Sequence, residues 1–229
     1  MEKQETLGKS IKMDKQEILD KTRDYIKEEL SGDGTGHDWW HIHRVTKVAM
    51  QIGCKEGADL FIVELGAMLH DLGDFKFHNG DTSVGPKMVS DWLHNIGADE
   101  ETIDKVVQIV HEISYKGANV ETPMSTLEGK IVQDADRLDA IGAIGIARTF
   151  AYGGSKGREI HNPEVKPEAH DSFEDYKNSL APTINHFYEK LLLLKKRMNT
   201  KSAKKMAQKR HDFMKVYLDQ FFAEWEGER

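Results

Sequence analysis

Residues 65 to 77 read LGAMLHDLGDFKF, and this stretch decides how the chain is interpreted. An apolar run that is typical of a buried helix ends in His70 and Asp71, and Asp74 and Lys76 follow closely. The burial of ionisable groups is unfavourable unless a partner compensates them. A metal ion is one such partner, and further histidines and carboxylates at buried positions would complete its coordination.

The composition is that of an acidic protein almost without cysteine. The 229 residues carry a formal net charge of −7, which disfavours a general nucleic-acid coat protein but leaves anionic small molecules as ligands. Cys54 is the only cysteine, so an internal disulfide and a cysteine-based zinc site are excluded. The charged N-terminus shows no signal peptide, and no run is long enough to cross a membrane. These features predict a cytoplasmic protein without membrane contact.

Apolar residues recur at intervals of three and four positions, and runs that alternate apolar and polar residues are scarce. This spacing predicts an all-α fold. Helices are expected at about 14–30, from the N-cap Asp38 to 53–57, and at 59–71, 83–96, 99–114, 125–140, 172–197 and 201–226. A Gly/Ala-rich helix, IGAIGIARTFAY, follows residue 140. No linker or repeat is evident, so we expect a single domain over 1–229 with a core at about 14–152. Residues 153–171 lack periodicity and are expected to form a mobile loop, followed by C-terminal helices at 172–229.

A histidine cluster lies at the start of the second predicted helix, in GHDWWHIHRV. His41 borders the apolar stripe that Ile42 begins, so it is expected to face the core. His37 is four positions earlier and could share a helix face with His41, but it precedes the cap and would be poorly fixed. His43 is expected to face solvent.

Carboxylates border the buried face of the segment KIVQDADRLDAIGAIGIAR. Apolar periodicity brings Asp136 and Asp139 to this face without deciding between them, and it predicts that Asp134 points outward. A buried aspartate is more often a cap or an arginine partner, and Arg44 and Arg137 could fill that role. A lone histidine on an apolar face is likewise more often a core residue than a ligand. Together, however, His, His-Asp and Asp offer mixed nitrogen and oxygen donors that suit a first-row divalent metal.

The ordered set of HIHRV, LHDLGD and DADRLDAIGAIGIAR resembles the HD superfamily of metal-dependent phosphohydrolases. It is most similar to the small bacterial stand-alone HD proteins that include nucleoside triphosphate pyrophosphohydrolases, and the similarity covers nearly the whole chain. The resemblance implies an all-α HD-type helical bundle with one divalent metal ion at its centre (Mn, Co, Ni, Mg or Fe). It also implies the ligands His41, His70, Asp71 and Asp136, and so favours Asp136 over Asp139.

Further residues are candidates for the chemistry. Asp74 matches an acidic residue that acts near the attacking water in related nucleotidases, so it is assigned, with Asp71, to catalysis; a cap is its alternative role. Lys76, Arg148, Lys156 and Arg158 are candidates for phosphate binding, against the alternative of surface or loop positions. His111 is expected to contact substrate or a ligand rather than a second metal ion.

The function expected from these motifs is metal-dependent hydrolysis of a nucleotide substrate. Pyrophosphate release from a (deoxy)nucleoside triphosphate is the first choice, followed by monophosphate dephosphorylation and by cyclic-nucleotide cleavage. The alternative from another class is a non-catalytic HD module that senses nucleotides. The basic segment 195–210 is read as a solvated face, so nucleic acid is disfavoured as a partner, and a homodimer is left open.

Overall fold

The computed structural model describes residues 13–30, 38–73, 81–113, 122–168 and 181–228. Within these ranges every regular element is helical and no strand occurs, so the all-α prediction is confirmed. The first seven helices are α1 (Lys15–Glu29), α2 (Trp39–Glu56), α3 (Leu60–Leu69), α4 (Val84–Asn95), α5 (Glu100–Glu112), α6 (Leu127–Asp139) and α7 (Gly142–Ser155). A composite helix and a long C-terminal helix, Lys201–Trp225, complete the described part.

Short polar side chains fix where several helices begin. The Asp38 carboxylate accepts a hydrogen bond from the His41 N–H at the start of α2, as predicted. The same kind of bond begins α3, α5, α6 and the C-terminal helix, at Asp59, Asp99, Thr126 and Thr200. Each bond satisfies a backbone donor that the first turn of a helix leaves without a partner.

The apolar faces of α2, α3 and α6 pack against one another at the centre of the core. Ile42, Val45, Leu65, Leu69 and Leu138 are almost completely excluded from solvent. The helix α3 is buried on nearly all sides because α1, α5 and α6 also contact it. Consequently, side chains at its C-terminal end lie deep in the molecule.

The turn that follows His70 and Asp71 approaches the beginning of α4 unusually closely. Gly73 has a φ of 67°, a left-handed conformation that favours glycine. A Cβ atom at Gly85 would lie 2.9 Å from the carbonyl oxygen of Leu72. Two glycines therefore allow α4 to pack directly against the end of α3.

The structure differs from the predicted C-terminal half at two boundaries. Helix α7 continues to Ser155, so the irregular segment begins three residues later than predicted. Within the predicted helix at 172–197, residues 183–184 form a turn and helical structure begins at residue 185. The N–H groups of Thr183 and Ile184 bind the carbonyl oxygens of Glu159 and Ile160 rather than those of a preceding helical turn. Residues 172–180 lie outside the described ranges.

The composite helix combines three hydrogen-bonding patterns. It runs as a π-helix over Phe187–Leu191, an α-helix over Leu192–Leu194 and a 3₁₀-helix over Lys195–Arg197. The irregular segment before it is held by the backbone bonds at residues 159 and 160 and by Asn185, whose side chain donates to the carbonyl oxygen of Val165 at 2.9 Å. The predicted mobility of 153–171 stays a prediction.

Candidate metal centre

Three helices bring the histidine and aspartate side chains of the motifs together. His41 lies in the first turn of α2, His70 and Asp71 follow the last turn of α3, and Asp136 lies near the end of α6. Since these helices pack against one another, positions that are distant in sequence meet in the core. The ligand atoms of His41, His70 and Asp71 lie within 4.8 Å of one another.

The Nε2 atoms of both histidines lie close to the carboxylates of Asp71 and Asp136. The Nε2 atom of His41 is 3.3 Å from Asp71 Oδ2 and 3.6 Å from Asp136 Oδ1. The Nε2 atom of His70 is 3.6 Å from Asp71 Oδ1 and 3.9 Å from the same Asp136 oxygen. Ligands about 2.0–2.2 Å from a shared ion are separated by distances of this order.

In both histidines Nδ1 faces a hydrogen-bond acceptor and Nε2 faces the cluster. The His70 Nδ1–H donates to the Ala67 carbonyl oxygen at 2.8 Å, and the Nδ1 of His41 lies 2.8 Å from Asp139 Oδ2. Each acceptor holds a proton on Nδ1, so Nε2 is the nitrogen that could bind a metal. The Nε2 of His70 is buried and makes no hydrogen bond to the described residues, which fits a metal as its partner.

The four side chains of the cluster differ in their exposure to solvent. The side chains of His41 and His70 are each 1% exposed, that of Asp71 is 14% exposed and that of Asp136 is 38% exposed. A mixed set of imidazole and carboxylate donors suits a divalent first-row metal. The residues present therefore fit a divalent ion that would be reached from the Asp136 side.

The electrostatics of the cluster depend on its carboxylates. Burial acts to lower the pKa of His41, but the hydrogen bonds to Asp139 and Asp71 outweigh burial and raise this pKa to about 9. Burial acts to raise the pKa of Asp139, but His41, Arg44 and Arg148 hold it well below its usual range. The two opposite pKa shifts reflect the close contact between the His41 imidazole and the Asp139 carboxylate.

The structure gives the aspartates of α6 three different environments, which periodicity could not do. Asp136 faces the cluster, and Asp139 lies behind His41, where Arg44 and Arg148 bind it. Asp134, expected to point outward, is completely buried, because its carboxylate accepts hydrogen bonds from Asn199 and Thr200. The expectation for Asp134 was wrong since those partners come from a turn 65 residues later in the chain.

The two arginines that were predicted as partners of a buried aspartate have different partners in the structure. Arg44 pairs with Asp139 as one alternative proposed. Arg137 instead donates to the Thr122 hydroxyl and to the backbone carbonyl oxygen of Arg197. The sequence placed Asp139 on the buried face, with metal binding or an arginine partner as alternative roles, but its contact with His41 was not predicted. Its position three residues after Asp136 was the available signal.

The structure distributes the remaining candidate residues around the cluster unevenly. Arg148 contacts Asp139 at 2.9 Å and is therefore adjacent to the site. Lys156 and Arg158 both lie over the ring of Tyr152, at 5.6 and 5.7 Å from its centre. His111 is exposed in the last turn of α5. Asp74, Lys76 and His37 lie outside the described residues.

Comparison with known proteins shows which family this architecture represents. The HD domain family matches residues 39–141, a range that contains the whole cluster. The uncharacterized protein YpgQ of Bacillus subtilis (strain 168) is 40% identical over 200 residues, which are 86% of this chain and 89% of that protein. The chain therefore belongs to the HD domain family, and the prediction of a metal-dependent HD phosphohydrolase is confirmed.

Solved structures agree with this assignment. An HD-superfamily hydrolase from Bacillus thuringiensis is 45% identical, with a TM-score of 0.73 and coverage of 93% of this chain and 99% of that one. A structure of Bacillus subtilis YpgQ in complex with ADP is 38% identical, with a TM-score of 0.72 and coverage of 91% and 95%. Across the described residues, every helix is too short or too polar to span a lipid bilayer.

Proposed function

We propose that this protein hydrolyses phosphoanhydride bonds of nucleotides, and that pyrophosphate release from a (deoxy)nucleoside triphosphate is its reaction. The observation that supports this most strongly is the convergence of two inward-facing Nε2 atoms and two carboxylates at one partly open point. The ADP complex of the similar protein YpgQ supports a nucleotide as the ligand.

In this proposal His41, His70, Asp71 and Asp136 hold one divalent ion. A divalent ion in such a site supplies Lewis-acid chemistry, since it acidifies water and offsets the negative charge of a phosphate. Asp136, as the most exposed of the four side chains, borders the side from which substrate enters. Asp74 follows Asp71 by three residues and serves as the general acid or base, taking a proton from the attacking water.

Positive charge for the substrate phosphates comes from α7 and the residues after it. Arg148, Tyr152 and Lys156 are spaced by four residues, so they share one face of the helix. Eight helical residues span about 12 Å, and Arg148 lies at the end of this row next to the cluster. These side chains thus extend from the proposed metal site toward Lys156 and Arg158. The span of about 12 Å is suitable for the phosphates of one nucleotide. Lys76 and His111 are proposed as additional substrate contacts.

A panel of nucleotides tests the proposed reaction. Mono-, di- and triphosphates of ribo- and deoxynucleosides are incubated with the protein and Mn²⁺, Co²⁺, Ni²⁺ or Mg²⁺, and the products are separated by chromatography. We expect a nucleoside monophosphate and pyrophosphate in equal amounts from a triphosphate, and no turnover with a chelator. Inorganic phosphate from monophosphates would establish the phosphatase alternative. Binding of nucleotides without product under every metal would establish a sensing module.

A further inference from the structure

Behind the four proposed ligands lies a second group of charged side chains, formed by Asp139, Arg44 and Arg148. The Asp139 side chain is 4% exposed, and its Oδ2 atom is 2.8 Å from the Nδ1 of His41. Arg44 binds both oxygens of this carboxylate, with Nε 2.8 Å from Oδ1 and Nη2 3.0 Å from Oδ2. We propose that Asp139, clamped by Arg44, is a positioning residue that fixes His41 as a metal ligand.

The contact determines which nitrogen of His41 is available. A carboxylate can only accept, so a proton stays on Nδ1, and Nε2, which faces Asp71 and Asp136, is the nitrogen available to a metal. The negative charge also increases the basicity of the imidazole, and partners of this kind strengthen metal binding. The inference rests on the proposed function, since it adds a supporting residue to the same metal site.

The clamp holds the carboxylate in a single orientation. Arg44 approaches with two parallel N–H groups, the geometry in which guanidinium and carboxylate bind most specifically. Arg148, on α7, adds a bond to Oδ2 at 2.9 Å. Asp139 therefore cannot rotate away from His41 without breaking bonds to two arginines.

Asp134 on the same helix provides a matched comparison. It is also a buried aspartate with several hydrogen bonds, but its partners are Asn199 and Thr200, at the beginning of the C-terminal helix. His70 provides a second comparison, because its Nδ1 is held by a backbone carbonyl that no substitution removes. Of the two imidazoles, only that of His41 depends on a side chain that mutation can change.

The test is the Mn²⁺ affinity of folded Asp139→Asn, measured by calorimetry. An asparagine amide can donate to Nδ1 and so favour the tautomer with a proton on Nε2, which cannot bind a metal. We expect binding to weaken by about 10–100-fold. Asp134→Asn should melt at a lower temperature yet bind Mn²⁺ as the wild type does. Circular dichroism and melting curves establish that each variant is folded at the assay temperature.

Arg44→Lys gives an independent result if Asp139→Asn does not fold. Lysine keeps the positive charge but loses the two-pronged contact, so folded Arg44→Lys should bind Mn²⁺ more weakly than wild type. Wild-type Mn²⁺ affinity in folded Asp139→Asn would overturn the inference. If Asp139→Asn does not fold, wild-type Mn²⁺ affinity in Arg44→Lys would overturn it. An equal loss of Mn²⁺ affinity in Asp134→Asn would overturn it as well. A wild-type protein that binds no Mn²⁺ would instead refute the proposed metal site itself.

Discussion

His41 and His70 both direct Nε2 toward the cluster, but their Nδ1 atoms have different hydrogen-bond partners. Each presents Nε2 to the cluster while Nδ1 is engaged, His41 by a carboxylate and His70 by a backbone carbonyl oxygen. Burial acts to lower the pKa of His41, but the hydrogen bond to the Asp139 carboxylate helps to raise it. At this scale the proposed site consists of two Nε2 nitrogens and two carboxylates.

The substitution Asp71→Ala should abolish both metal binding and metal-dependent hydrolysis. Asp71 approaches both Nε2 atoms, so its loss removes a ligand and a negative charge from the point where all four side chains meet. Metal content by mass spectrometry and initial rates on the best nucleotide measure the effect. Asp91→Ala is the control, since Asp91 is an exposed carboxylate on α4 that pairs with Lys87. Retention of bound metal by Asp71→Ala would contradict the ligand assignment.

The substitution Asp74→Asn should slow hydrolysis and leave the metal bound. General acid or base groups contribute about 10²–10⁴-fold to rate, so the loss should be large but incomplete. The same two measurements separate this outcome from that of Asp71→Ala. A full rate at full metal occupancy would show that Asp74 has a structural role, and proton transfer would then have to be assigned to another group such as His111.

At the scale of elements, the position of His70 and Asp71 depends on how α4 packs against the end of α3. Gly85→Ala would place a Cβ atom 2.9 Å from the Leu72 carbonyl oxygen, so α4 must shift or the turn must deform. We expect a lower melting temperature together with weaker Mn²⁺ binding. Gly154→Ala is the matched control, because a Cβ atom there meets nothing within 4 Å.

For Gly154→Ala we expect unchanged metal binding and a stability that is equal or slightly higher, since alanine favours helix by up to about 1 kcal/mol. Calorimetric titration with Mn²⁺ and thermal melting of both variants give the comparison. Wild-type stability and affinity in Gly85→Ala would show that the contact between α3 and α4 is not required to position the pair.

The elements that sequence predicted well are those whose signals are local. Helices α1 to α6 have strong apolar periodicity, and Asp38 begins α2 as its residue type and place suggested. The turn at 183–184 was not predictable, because its N–H groups bind carbonyl oxygens of residues 159 and 160. Such a pairing between distant segments leaves no trace in the periodicity of either one.

The candidate site likewise combines features that local sequence predicts with features that depend on contacts between distant segments. Residue type and spacing selected His41, His70 and Asp71 as candidates. Spacing alone could not decide between Asp136 and Asp139, because residues three apart on a helix lie on the same side. The resemblance favoured Asp136, and the structure shows what Asp139 contacts instead. The burial of Asp134 depended on partners in the C-terminal turn, which only the tertiary structure brings into contact.

At the scale of the whole molecule, the proposed metal site joins three helices of the core. A ligand that binds only the native state stabilises it, by about 2.7 kcal/mol at a concentration of 100 times the Kd. For a protein of this size each kcal/mol raises Tm by about 2–4 °C, so metal saturation should raise Tm by roughly 5–11 °C over the chelator-treated protein. Thermal melting with Mn²⁺ and with EDTA measures the difference.

Asp71→Ala serves as the reference in that experiment, because its Tm should not respond to Mn²⁺. Magnesium-free and manganese-free buffers of equal ionic strength exclude a general salt effect. A wild-type Tm that does not change with metal would contradict native-state binding at this centre, whereas an equal shift in Asp71→Ala would place the binding elsewhere on the protein.

The unequal exposure of the four side chains has a kinetic consequence. An ion held by the four side chains would lie against the buried imidazoles of His41 and His70 and would reach solvent past the more exposed carboxylates of Asp71 and Asp136, so arrival and departure would share this route. A bound nucleotide on that route would close it. Capture of the ion by an external chelator should therefore slow as substrate saturates the protein, and the residence time of the ion would become a direct measure of how often the nucleotide leaves.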